Sequence, residues 1–78
     1  MPIRAYILIQ TEVGRASDVA GQIRNISGVI SADVLTSPYD IIAHTEADDV
    51  DELGRMVVSK VQMIEGITRT TTCPVVNI

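Results

Sequence analysis

A short segment, TSPYD at residues 36–40, combines groups that can bind both ends of an α-amino acid. The carboxylate of Asp40 can pair with an ammonium group, and amides exposed in a turn can hold a carboxylate. The segment also fits an ordinary turn, in which Pro38 fixes φ and Ser37 or Asp40 bonds nearby amides. Both interpretations stay open on these residues alone. The candidate ligand-binding residues of the segment are Ser37, Pro38, Tyr39 and Asp40.

Two threonines near the C-terminus form a second candidate group. The run TRTTT at residues 68–72 has high strand propensity. Thr70 and Thr72 lie two residues apart, so they share one face of an extended chain. Their hydroxyl groups can project together toward a polar ligand or a neighbouring subunit, and we include both among the candidate ligand-binding residues.

Residues for catalysis or metal binding are scarce. There is no Gly-rich phosphate loop and no His/Cys cluster at metal-ligand spacing. His44 and Asp40 lie about 13 Å apart along a strand, which forbids direct contact and favours a sheet or interface histidine. The acidic run at residues 46–52 lacks the order of a calcium loop and fits the start of a helix. Cys73 has no basic neighbour in sequence to activate it. We predict no catalytic residue, no metal and no cofactor.

Hydrophobic periodicity predicts the elements that position these candidates. Strands are predicted over residues 4–10, 29–36, 40–47 and 67–72, with Pro74 loosening or ending the last one. A first helix carries a stripe at three- and four-residue spacing, and the chain closes it over residues 25–28. A second helix opens at Asp48 and Asp49, and Gly66 fits its C′ position. The two stripes are Ala16, Val19, Ala20, Ile23, Ile26 and Val50, Leu53, Val57, Val61, Ile64.

The order βαββαβ predicts an α+β, ferredoxin-like fold, in which a four-stranded antiparallel sheet carries both helices on one face. The strands are partly apolar on both faces, whereas a sheet with one wet face should alternate cleanly. A second copy packed sheet to sheet would cover the remaining apolar surface, so we expect a dimer. The two faces are Ala5, Ile7, Ile9 against Tyr6, Leu8 in the first strand, and Ile30, Ala32, Val34 against Val29, Leu35 in the second.

Length and charge limit the remaining classes of function. The 78 residues are enough for one domain, residues 1–78. The net charge is −4 and the six Lys and Arg residues are scattered, which argues against direct binding of nucleic acid. No apolar run is long enough for a membrane span, and the N-terminus lacks the layout of a signal peptide. One cysteine excludes an internal disulfide. We expect a cytoplasmic protein without direct contact to a membrane.

Nearly the whole chain resembles the C-terminal effector domain, or RAM domain, of the Lrp/AsnC transcription regulators. The resemblance lies in AYILIQT, NISGVISADVLT, TSPYDIIAHTEADDVDEL and VSKVQMIEGITRTTT, in that order. The turn of the family usually reads Thr-Gly-x-Tyr/Phe-Asp, and Ser37 replaces its glycine here. The last strand of the family often reads Gly-Val-x-x-Thr-x-Thr, which Gly66, Ile67, Thr70 and Thr72 match.

The resemblance implies dimers made by packing sheets, higher rings of dimers such as octamers, and amino-acid effectors held between dimers near the second turn. The helix-turn-helix module of the family would precede this domain and is absent from the sequence. The resemblance therefore implies a stand-alone effector-binding and assembly module for regulating amino-acid metabolism, able to assemble with itself or with full-length regulators. If the family glycine needs positive φ or a close ligand, Ser37 reshapes the turn and weakens binding.

Two alternatives remain open. One is a small enzyme of the dimeric α+β barrel type, such as a monooxygenase, although the lack of Trp and Phe leaves little to build its cavity. The other is a structural assembly partner that binds no ligand.

Overall fold

The computed structural model of the chain describes residues 2–76, which form four strands and two helices in the predicted order. The strands are β1 (Ile3–Thr11), β2 (Val29–Val34), β3 (Ile41–Ala47) and β4 (Ile67–Pro74), and the helices are α1 (Ala16–Arg24) and α2 (Val50–Met56). All strand pairs are antiparallel, in the order β2-β3-β1-β4. The predicted ferredoxin-like fold is confirmed, with β1 and β3 at the centre of the sheet.

Both helices cover one face of the sheet. The central strand β1 buries Ala5, Ile7 and Ile9 completely, because alternate residues of a strand point to the same side. The helices meet this face with Val19, Ala20 and Ile23 from α1, as predicted, and with Leu53 and Met56 from α2, of which only Leu53 belongs to the predicted stripe. The other core residues are Ala32, Ile41, Ala43, Ala47, Val57 and Val61.

The acidic run starts α2, as predicted. The carboxylate of Asp49 accepts a hydrogen bond from the amide of Glu52 at 2.8 Å. The carboxylate of Glu52 accepts one from the amide of Asp48 at 3.4 Å. The amide of Glu52, which the first helical turn leaves unpaired, thus obtains an acceptor, and so does the amide of Asp48 just before the helix. The negative charges suit this end of the helix.

The C-terminal part of the second helix differs from the prediction. After α2 the chain makes a π-helical turn (Val57–Val61), in which the amide of Gln62 donates to Val57 O at 2.9 Å. Val57 and Val61 are both buried on the core face, so the π-helical turn does not interrupt the buried stripe. Gly66 lies well beyond this end, in the turn before β4 with φ of +102°, so its assignment as helix C′ was wrong. Val50 was predicted in the buried stripe, but its side chain is 71% exposed, and Leu53 is the first buried residue of α2.

Strand β2 contains an irregularity that the sequence did not indicate. Its register on β3 shifts between Val29 and Ser31, which leaves Ile30 as an extra residue. Val29 and Ala32 both pack on the helix side, and Ile30 is 56% exposed. The prediction that Ile30 and Ala32 share a face, opposite Val29, was wrong, because it assumed strict alternation along the strand.

The opposite face of the sheet carries no helix. Leu8 and Ile42 pair at its centre, and Tyr6 stacks on His44 with the ring centroids 4.8 Å apart. Charged residues lie toward its margins. We call this surface the open sheet face, and it consists of Arg4, Tyr6, Leu8 and Gln10 from β1, Ile30, Ser31 and Asp33 from β2, Ile42, His44 and Glu46 from β3, and Arg69, Thr71 and Cys73 from β4.

Candidate functional site

Asp40 holds the turn between β2 and β3 against the end of β1. Its amide donates to Ile9 O at 2.8 Å, and its Oδ2 accepts a hydrogen bond from the amide of Thr11 at 2.7 Å. Its carbonyl oxygen accepts one from the amide of Leu35 at 2.8 Å. These bonds close the chain before the predicted strand ends, so β2 stops at Val34 and β3 starts at Ile41. Asp40 therefore stabilises the turn through its hydrogen bonds, and it remains half-exposed there.

The carboxylate of Asp40 keeps part of its capacity for a ligand. Oδ2 takes the amide of Thr11, while Oδ1 has no hydrogen-bond partner among residues 2–76. A carboxylate accepts bonds at both oxygens. An ammonium group can thus approach Oδ1 without displacing Thr11.

Ser37 stabilises the turn from within. Its Oγ donates to Tyr39 O at 2.8 Å and accepts from the amide of Tyr39 at 3.2 Å. No non-glycine residue in the described part of the chain has positive φ, so Ser37 needs no left-handed conformation. The serine thus fits this backbone without strain, and the steric concern about replacing glycine applies only to the approach of a ligand.

Fewer amides of the turn are free than its sequence indicates. Pro38 has no N–H group, and the amides of Tyr39 and Asp40 already have acceptors. Within residues 2–76, the amides of Thr36 and Ser37 donate to no acceptor. Two amides therefore remain for an anionic group.

Gln10 is a turn contact that the sequence did not reveal. Its Nε2 donates to Pro38 O at 2.9 Å across 28 residues of chain. Alternation along β1 places Gln10 on the face of Tyr6 and Leu8, but only the pairing of strands brings it to the turn. The same holds for Thr11, whose amide bonds Asp40. Gln10 keeps the tip of the turn beside the open sheet face.

Thr70 and Thr72 lie on the other side of the sheet from Gln10. They pair with Ile9 and Ile7, whose side chains are buried under the helices. Thr70 Oγ1 accepts a hydrogen bond from Gln62 Nε2 at 3.2 Å and lines a groove of about 220 Å³. Among residues 2–76 no hydrogen bond joins either threonine to the turn. A site that combines them with the turn would need a second subunit.

The remaining candidates have structural surroundings. The imidazole of His44 stacks on Tyr6, while the carboxylate of Asp40 is bonded to Thr11, so the two do not form a base and its orienting group. Cys73 pairs with Tyr6 across β1 and β4. No group of three or more His, Cys, Asp or Glu side chains is placed to hold a metal ion within the described residues.

Two further features bear on the function. A groove of about 370 Å³ lies beside the second helix, and its lining residues are Ser27, Glu52, Arg55, Met56, Ser59 and Lys60.

The helices that the structure describes are too short or too polar to cross a membrane.

Comparisons with known proteins come from sequence and structure. A model of the Lrp/AsnC ligand binding domain matches residues 4–78. The uncharacterized HTH-type transcriptional regulator PH1916 of Pyrococcus horikoshii is 31% identical over 71 residues, which cover 87% of this chain and 47% of that protein. A regulator of Pyrococcus abyssi matches equally well. The chain thus spans about half the length of the curated relatives it matches.

Solved structures give the same fold. TTHA0845 from Thermus thermophilus has a TM-score of 0.92 at 29% identity, with 97% of this chain and 95% of that chain covered. The transcriptional regulator NMB0573 of Neisseria meningitidis, solved as a complex with L-Met, has a TM-score of 0.85 at 18% identity, with 96% and 50% covered. The second likeness is evidence for the fold alone.

The hydrogen bond between the Thr11 amide and Asp40 leads to a prediction about stability. Asp40→Ala leaves the Thr11 amide without its acceptor and should lower the free energy of unfolding by about 1–2 kcal/mol. Asp40→Asn keeps an acceptor oxygen and should cost less than about 1 kcal/mol. Urea unfolding at one fixed protein concentration measures both values. Asp51→Ala is the control, because Asp51 is exposed on α2, outside the open sheet face, and should change stability by less than about 0.5 kcal/mol. Equal losses of unfolding free energy in Asp40→Ala and Asp40→Asn would contradict a stabilising role for the hydrogen bond between Asp40 and Thr11.

Proposed function

The chain belongs to the Lrp/AsnC ligand binding domain family, and we propose that it binds a small amino-acid effector and assembles with itself or with related regulators to control transcription. The observation that carries the proposal is a set of polar groups in one turn that lack hydrogen-bond partners among residues 2–76. They are Oδ1 of Asp40 and the amides of Thr36 and Ser37. Regulators of transcription act where DNA is, so we place the protein in the cytoplasm.

The turn offers complementary groups to a zwitterion. Asp40 Oδ1 would accept from the ammonium group, while the amides of Thr36 and Ser37 would donate to the carboxylate. Tyr39 is half-buried at the turn and would exclude water from these bonds, which strengthens them. Thr70 and Thr72 would complete the site from a neighbouring dimer, because within one subunit they lie on the helix side.

Relatives support an amino acid as the ligand and transcription as the process. NMB0573, which shares the fold, was solved with L-Met. The Pyrococcus relatives are HTH-type transcriptional regulators about twice as long as the matched region. The net charge of −4 disfavours DNA binding by this chain. Contact with DNA would then come from a helix-turn-helix module such as the relatives carry, and genes of amino-acid metabolism are the proposed targets.

The open sheet face is the proposed dimer surface. Leu8 and Ile42 at its centre are only half-buried within one chain, and the Tyr6–His44 stack lies beside them. Burying about 600 Å² of such surface per subunit would contribute roughly 15 kcal/mol before the costs of association. Dimers joined further through the turns would give the rings that we propose, such as octamers.

The enzyme alternative has less support. Catalysis between sheet and helices would need polar groups there, and Thr45 is the only buried polar residue among those described. Its hydroxyl group already donates to Ala5 O at 2.9 Å. A ligand-free assembly partner differs from the proposed function only in binding, which the next experiment measures.

Amino-acid binding should depend on the charge of Asp40. We expect at least one of the twenty amino acids to bind the wild type and Asp40→Asn to weaken it about tenfold or more, because a charge-assisted bond contributes roughly 1.5–3 kcal/mol. A thermal-shift screen selects the ligand and calorimetry measures its affinity, with Asp51→Asn on the exposed side of α2 as the matched control.

An effector bound equally well by wild type and Asp40→Asn would refute the assignment of the ammonium partner. If no amino acid binds the wild type at millimolar concentration, Ser37→Gly is the next test. Restored binding would locate the loss at that residue, and continued absence would favour the ligand-free assembly partner.

Dimer formation should depend on the centre of the open sheet face. Leu8→Glu places a charge in the proposed interface and should shift the protein to monomers. Val58→Glu is the control, because Val58 is exposed on the π-helical turn, away from the sheet. Light scattering at micromolar concentration measures the mass. A wild type that shows only an 8.4 kDa species would contradict the proposed dimer.

A further inference from the structure

Arg69 lies at the end of the open sheet face that carries the turn. It pairs with Gln10 across β1 and β4, and Gln10 Nε2 donates to Pro38 O at 2.9 Å. Gln10 therefore lies between the turn on one side and Arg69 on the other. We propose that the guanidinium group of Arg69 binds the carboxylate of the effector. This inference rests on the proposed function and supplies the cation that the turn itself lacks.

A bulge lies directly beside Arg69 in β4. Gln10 pairs with Arg69 and Thr11 pairs with Ile67, so Thr68 is an extra residue in β4. Bulges often redirect side chains beside functional sites. Here Arg69 belongs to the face of Gln10, whereas the next residue, Thr70, belongs to the helix side. The regular pairing of residues 69–74 with β1 thus places a cationic residue, rather than a threonine hydroxyl group, on the face where the turn is held.

The charges at this end of the sheet match those of an amino acid. Asp40 lies on the β3 side of Gln10, and Arg69 lies on its β4 side. One strand separates their backbones, so these are about 10 Å apart, and the long arginine side chain can close much of that gap. Arg69 is exposed and forms no ion pair within residues 2–76, where the only one joins Arg15 to Asp18.

A guanidinium group adds what the free amides cannot provide. The amides of Thr36 and Ser37 are neutral donors that also tolerate an uncharged acceptor. Arginine can donate two parallel hydrogen bonds to one carboxylate, and these are strengthened by charge. Arg69 should therefore make the site distinguish an amino acid from its uncharged carboxamide. Asp40 should bind the ammonium group of both compounds equally.

The test compares two ligands on four proteins by calorimetry. The probes are the amino acid that binds the wild type most tightly among the twenty and the carboxamide of that same amino acid. Arg69→Gln should weaken binding of the amino acid about tenfold or more and leave binding of the carboxamide unchanged. Arg69→Lys keeps the positive charge but cannot donate two parallel hydrogen bonds, so its affinity for the amino acid should lie between those of the wild type and Arg69→Gln. Arg55→Gln is the control, because Arg55 is exposed on α2 and lies outside the open sheet face.

Each other outcome overturns the inference in a recognisable way. Equal weakening of both ligands by Arg69→Gln would mean that Arg69 only supports the structure of the turn. An unchanged affinity for the amino acid would leave the carboxylate to the amides alone. The same loss in Arg55→Gln would show a long-range effect of net charge. If no amino acid binds the wild type, the proposed function fails first and the role of Arg69 fails with it.

Discussion

The hydrogen bonds of Asp40 are the interactions on which this end of the molecule depends. One residue continues the sheet through its amide, closes the turn through its carbonyl oxygen, and bonds the end of β1 through its carboxylate. The carboxylate takes the place of a backbone acceptor at the point where β3 leaves the sheet. A charged group is thus fixed at the surface by the fold itself. Such a preorganised group loses little freedom when it binds a ligand.

The turn and the open sheet face are physically connected through Gln10. Its side chain lies on the open sheet face and donates a hydrogen bond to Pro38 O at the tip of the turn. The proposed effector site and the proposed dimer surface therefore share a residue. A regulator that transmits binding into assembly needs contact of this kind, because coupling requires that both events act on common structure.

Local patterns in the sequence were sufficient for the fold but not for the full site. Element order, the buried face of β1 and the capped start of α2 follow from periodicity and residue type. The bulge at Ile30 and the π-helical turn before Gln62 do not, because they depend on how strands pair and how the second helix meets the core. Gln10 and Arg69 were missed for the same reason, since pairing of β1 with β3 brings Gln10 to the turn and pairing of β1 with β4 brings Arg69 beside Gln10.

Amide NMR of the isotope-labelled full chain, titrated with the tightest-binding amino acid, tests the central claim most directly. Binding at the turn should shift the amide signals of residues 10–11, 36–37, 39–40 and 69, and the free amides of Thr36 and Ser37 should move most. Signals of Ser27, Arg55 and Met56, which line the groove beside the second helix, should stay in place. Shifts confined to that groove, with residues 36–40 unchanged, would contradict the account.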